Sequence, residues 1–123
     1  MKDLTIDKTA KTLEVSCSPG KLDFNGCSIT NDPKVFFTPV KSWVKDYIQK
    51  PEKLTEINLK FDYIDTASVK YIFDILNDLK VLNSRKGYSA VVNWYFDYDD
   101  PEILELGEII QSKIGIPFNF NEY

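Results

Sequence analysis

Residues Leu54–Leu82, LTEINLKFDYIDTASVKYIFDILNDLKVL, change their hydrophobic period part-way along. Ile57, Leu59, Phe61 and Tyr63 alternate with Glu56, Asn58, Lys60 and Asp62. Period 2 predicts a strand with one face on a core and the other polar. Beyond it, Val69, Ile72, Phe73, Leu76 and Leu79 recur at helical spacing, the apolar stripe of a helix laid on a sheet. Ile75 and Leu82 widen that stripe, which predicts burial on more than one side. The period changes at Ile64-Asp65-Thr66-Ala67-Ser68, where carboxylate and hydroxyl side chains cluster. A strand running directly into a helix predicts an α/β fold, with this junction at the rim of the sheet.

Working outward, the N-terminal side carries a hairpin. Leu13, Val15 and Cys17 alternate with Glu14 and Ser16; Ser18-Pro19-Gly20 is a turn; Leu22 and Phe24 alternate with Lys21, Asp23 and Asn25. Gly26 ends the second strand. Leu4 and Ile6 mark either a short strand or a loose end. Asn31-Asp32-Pro33 starts a helix whose stripe is Phe36, Phe37, Val40, Trp43, Val44, Tyr47 and Ile48. Pro39 lies inside that stripe, so either Thr38 caps a second start or the helix is kinked there.

On the C-terminal side, Asn83–Gly87 is a helix exit, and Ala90–Phe96 reads as a mostly buried strand. Trp94 and Tyr95 point opposite ways, so one is core and the other lies on the open face. Asp97–Asp100 is an acidic loop, with Asp100 capping a third helix that begins at Pro101. Ile103, Leu106, Ile110 and Ile114 mark its buried side, and Gly115-Ile116-Pro117 breaks it before a short segment, Phe118–Phe120, with the residues of a last strand. Strand–helix–strand units of this length make right-handed parallel crossovers. The expectation is one domain over residues 1–123: a mixed sheet, an N-terminal hairpin plus parallel strands, with three main helices largely on one face.

Composition narrows the function. A chain of 123 residues supports a core without disulfides or a metal. The net charge of −4, without a basic run, argues against nucleic acid and against a polybasic membrane contact. No apolar run approaches a membrane span, and MKDLTIDKTAK is too polar for a signal peptide, so the expected location is the cytoplasm. Cys17 and Cys27 form no CxxC and read as small apolar residues in or beside strands. Histidine is absent, which removes Ser-His and Cys-His nucleophile pairs and phosphohistidine relay. The acidic loop matches no calcium-loop spacing, and Asp-Asp-Pro fits a helix cap, so neither a metal nor a cofactor is expected.

At the junction, Asp65 and Thr66 both suit a helix N-cap, with Asp65 the better placed. Free N–H groups and the positive end of the dipole also let a helix start tolerate a phosphate. A hydroxyl just past a strand end is open to a kinase, and a phosphate there adds roughly two negative charges.

These residues resemble the phosphorylation segment of the SiaC-family regulatory phosphoproteins of bacteria. Tyr63-Ile64-Asp65-Thr66-Ala67-Ser68 is similar to the family's Tyr-x-Asn-Thr-Ser-Ser, whose threonine is phosphorylated. Gly26-Cys27-Ser28 is similar to its Gly-x-Ser, and Phe36-Phe37 with Pro39-Val40 and Trp43 to its Phe-Phe-x-Pro-Val…Trp. Val92–Asp97 resembles Val-Asn-Trp-Tyr-Tyr-Asp, followed by Leu104–Glu108 and the closing Pro117-Phe118. The likeness covers roughly residues 12–120. Asp65 replaces the usual Asn, as in the Asp-Ser of the related STAS-domain anti-sigma-factor antagonists, and Ala67 replaces a Ser.

The resemblance implies a STAS-like fold and a non-enzymatic switch protein. In that picture the unphosphorylated form binds and activates a diguanylate cyclase, in cyclic-di-GMP signalling and biofilm control. A serine/threonine kinase phosphorylates Thr66, with Ser68 the second choice, and a PP2C-like phosphatase reverses it. Asp62, Tyr63, Asp65, Ser68 and Lys70, around Thr66, are the expected partner contacts. Two other readings stand beside it. One is an anti-sigma-factor antagonist that binds a kinase/anti-sigma factor; the other is an enzyme using Asp62, Asp65 or the 97–100 carboxylates.

Overall fold

The structure, a computed structural model, describes residues 1–123. The hairpin forms as the turn signal predicts: β2 (Glu14–Ser18) pairs antiparallel with β3 (Lys21–Ser28). Gly20 closes it at φ 87°, which a side chain would strain. Leu4–Ile6 is a strand, β1, paired antiparallel with β2. The parallel strands follow as β4 (Leu54–Ile64), β5 (Ser89–Phe96) and β6 (Phe118–Glu122), and the sheet order is the order of the chain, β1 to β6.

Each crossover steps one strand in the same direction, and right-handedness then puts every helix on the same face. These are α1 (Pro33–Tyr47), α2 (Thr66–Leu79) and α3 (Pro101–Ile114). Asp32, Asp65 and Asp100 cap them, each accepting a backbone N–H from three residues on. α1 is one run through Pro39; the Thr38 hydroxyl does not cap a second start but donates to the Lys34 carbonyl at 2.6 Å. Proline cannot serve the Val35 carbonyl, but Val35 is 69% exposed, on the solvent side of the helix. α2 stops at Leu79, three residues before the end of the apolar run, and tightens into a 3-10 turn over Lys80–Ser84. Asn83 then bonds both the N–H and the carbonyl of Ala90, at 2.7 and 3.1 Å, and so starts β5.

The helix face of the sheet holds the core. Trp94 is its centre: fully buried, edge-on to Phe61, and donating Nε1–H to the Ile103 carbonyl at 3.0 Å. α3 crosses it at Gly107, where a Cβ would lie 2.6 Å from the indole ring. The opposite face is open and polar, and Tyr95 belongs to it. There Asn58 donates to Asp23, Asn93 to Asn58 and Asn119 to Asn93, a side-chain ladder across four strands. Cys17 is buried on the helix face; burial, and then the nearby Asp23 carboxylate, push its thiol up to about 12.

Two outcomes follow. Gly107→Ala replaces glycine in a helix interior and would ordinarily stabilise by ~0.5–1 kcal/mol. Here the indole forbids the methyl, so urea denaturation should show a loss of about 1–3 kcal/mol. Cys17 is protonated in the folded chain where the unfolded thiol, near 9.0, ionises. The unfolded state then binds fewer protons, so stability should fall as pH rises above that value. Cys17→Ser should flatten this fall.

Candidate functional site

The strand–helix junction is held by the end of the neighbouring strand. The Asp65 N–H donates to the Ser28 carbonyl at 2.9 Å, and the Ser28 hydroxyl donates to the Ser68 hydroxyl at 2.8 Å. Asp65 Oδ1 accepts the Ser68 N–H at 2.8 Å, and the Asp65 carbonyl accepts from Val69. Ser28 and Ser68 are both buried, at 1% and 0% exposure, and each supplies the other's hydrogen bond in an apolar setting. Ser68 was expected as a partner contact and as the alternative acceptor. The structure buries it: one turn into α2, its hydroxyl meets that of Ser28 instead of solvent.

Thr66 is different. It is the first residue of α2, exposed, and its hydroxyl takes no part in the hydrogen bonds of the junction. Asp65 satisfies the Ser68 N–H, but the Thr66 and Ala67 N–H groups precede the first intrahelical acceptor and point along the helix start. A phosphate on Thr66 would therefore meet free donors and a favourable dipole without disturbing the buried knot.

The other expected residues ring it. Asp62 is exposed and 3.9 Å from Lys8, a weak surface pair. Tyr63, which the alternation assigns to the inward set, is 55% exposed. The reason is a register shift: Gly26 pairs with Phe61 but Cys27 with Tyr63, so Asp62 is an extra residue and the alternation breaks. Lys70, exposed, follows Thr66 by one turn.

Beside the junction stands the acidic loop. Asp62, Asp97, Asp99 and Asp100 line one cavity with Phe61 and Tyr123. Asp100 accepts the N–H that it caps, Asp97 Oδ1 accepts the Asp99 N–H, and Asp62 lies 3.9 Å from Lys8. No three thiols or carboxylates gather as a metal set. Burial and then Asp62, Asp97 and Asp100 raise the Tyr123 hydroxyl above its usual value, and Lys60 lies 4.3 Å from its ring centre.

Ser28 and Tyr123 were not singled out from the sequence as members of this site. Ser28 stood in the Gly-Cys-Ser motif without a role. Tyr123 is brought to the rim only by β6 pairing with β5. A groove between α2 and α3 was not foreseen either; Val69, Lys70, Phe73, Asp74, Leu106, Ile109, Ile110 and Lys113 line it. Its one sequence signal was Ile109, an apolar residue off the buried stripe of α3 and 45% exposed.

No helix is long and apolar enough to cross a membrane. The family model for the SiaC family regulatory phosphoprotein matches residues 6–123. An uncharacterized protein of Pseudomonas aeruginosa strain UCBPP-PA14 is 27% identical over 120 residues, covering 96% of this chain and 94% of its own. The crystal structure of apo-SiaC from Pseudomonas aeruginosa superimposes with a TM-score of 0.89 at 25% identity, covering 98% of this chain and 99% of that one. SiaC from the same organism, in complex with the diguanylate cyclase SiaD that it activates, gives 0.90 at 24% identity, covering 98% and 100%.

The buried knot has a thermodynamic signature. Ser28→Ala alone removes the donor to the buried Ser68 hydroxyl, leaving it only a long 3.5 Å bond to the Ser28 carbonyl, and should cost about 1–3 kcal/mol in urea denaturation. Ser28→Ala with Ser68→Ala removes both polar groups and should cost clearly less than the two single changes added. Additive losses would mean that the two hydroxyls do not interact.

Proposed function

The chain belongs to the SiaC family of regulatory phosphoproteins, and from that premise we propose that it is a phosphorylation-controlled partner switch. Unphosphorylated, it binds a diguanylate cyclase and activates it, in the cytoplasm, as a regulator and not as a catalyst. A cognate serine/threonine kinase phosphorylates Thr66 and releases the cyclase; a PP2C-like phosphatase restores binding. The assembly of SiaC with SiaD supplies the class of partner. Asp62, Tyr63, Asp65 and Lys70 are the residues beside Thr66 that contact it or shape its seat.

The observation that carries this reading is the exposed Thr66 hydroxyl at the first position of α2, with the helix held from below by Ser28 and Ser68. Phosphorylation then changes charge without unfolding the site. Each like-charge contact near 4 Å costs about 1 kcal/mol in water and about 4 near a protein surface. A phosphate of roughly two charges should therefore weaken binding by at least about tenfold.

Reconstitution with purified cyclase tests it. Wild type and Thr66→Ala should stimulate cyclic-di-GMP synthesis, and Thr66→Glu should lose at least about tenfold in affinity. After incubation with the kinase, intact mass should show one phosphate on wild type and none on Thr66→Ala. Equal stimulation by all three proteins, or a phosphate that persists on Thr66→Ala, would sink the assignment.

A further inference from the structure

The groove between α2 and α3, a cavity of about 440 Å³, is floored by Val69, Phe73, Leu106, Ile109 and Ile110. The core is closed beneath it at Ile72 and Ile110, yet Ile109 is 45% exposed and Val69, Phe73 and Leu106 only half-buried. Three charges stand on its walls: Lys70 and Asp74 on α2, and Lys113 on α3. Asp74 is taken by Lys41 at 3.8 Å. Lys70 and Lys113 enter no ion pair. In a chain of net charge −4, this groove thus presents an apolar floor between two free cations.

We propose that this groove seats an amphipathic helix of the cyclase whose apolar stripe is flanked by carboxylates; the inference rests on the partner-switch reading. Charge selects the flanks, since Lys70 and Lys113 gain partners only from acidic side chains. Shape selects the helix: the lining from Leu106 to Lys113 runs about 10 Å, roughly two turns, between two helices whose ridges repeat at helical spacing.

The groove also explains how Thr66 reaches the partner. Leu106 also lines a second cavity with Asp62, Tyr63, Ile64, Asp100, Glu102 and Ile103, so the groove and the rim share Leu106 as a common wall. Lys70 lies four residues after Thr66, within side-chain reach along α2. A phosphate on Thr66 draws Lys70 away from the partner's carboxylate and sets negative charge one helical turn from that groove residue. Phosphorylation thus takes one of the two cations and repels the same acidic flank.

The test uses the full chain and the purified cyclase of the same organism that responds to it, with affinity by calorimetry and cyclic-di-GMP output. Ile109→Ser and Lys113→Glu, with circular dichroism unchanged, should each weaken binding at least about tenfold, and Lys113→Arg by less than about threefold. Asn121→Lys, on β6 away from the helices, should bind as wild type. Wild-type binding by both Ile109→Ser and Lys113→Glu overturns the groove; if Thr66→Glu still loses the cyclase, the switch stands without it. Tighter binding by Lys113→Glu overturns the acidic occupant. A wild-type chain that neither binds nor stimulates the cyclase defeats the switch reading itself.

Discussion

The start of α2 is fastened to the end of β3. One carbonyl, that of Ser28, takes the Asp65 N–H, and one hydroxyl, that of Ser28, meets Ser68 in the core. This fastening divides the labour among neighbouring polar residues. Asp65 spends its carboxylate on the helix N–H, Ser68 turns inward, and Thr66 between them is left with its hydroxyl in water. A reversible charge is tolerable there because nothing that holds the helix passes through the residue that would carry it.

The wider architecture concentrates chemistry at the same rim. Sequential strand order with right-handed crossovers brings the three helix starts to the carboxyl ends of the strands. Each start takes an aspartate cap, so the rim becomes acidic for local reasons before any function is considered. Those caps offset the helix dipoles, and a further anion at Thr66 would be felt by whatever approaches. On the other face the ladder from Asp23 through Asn58 and Asn93 to Asn119 satisfies its own polar groups and ties register across the strands. A slip of one residue would break every rung and turn the core outward.

Much of this was legible in the chain. Period 2 over Ile57–Phe61 and period 3.6 over Val69–Leu79 identified the central strand and helix, and Asp-Pro pairs marked the other two helix starts. Alternation failed at Tyr63, because a β-bulge depends on the strand opposite, here the step from Gly26 to Cys27. The burial of Ser68 was not legible either. A hydroxyl in the first turn of a helix reads as solvated, and only a second buried hydroxyl forty residues away in sequence makes its burial affordable. The 3-10 ending of α2 followed from Asn83 pairing with Ala90, which no helical period encodes.

By itself, then, the sequence determined the strand–helix alternation, the capped junction, the absence of histidine chemistry and the position of Thr66. Apart from the histidine count, each is local, set by side chains within about two helical turns of one another. Tertiary structure alone decided which of the junction's polar groups are buried, where Tyr63 and Tyr123 end up, and that Lys70 and Lys113 flank an apolar groove. Those facts depend on strands and helices far apart in the chain, and their order of packing is written in no single stretch of it.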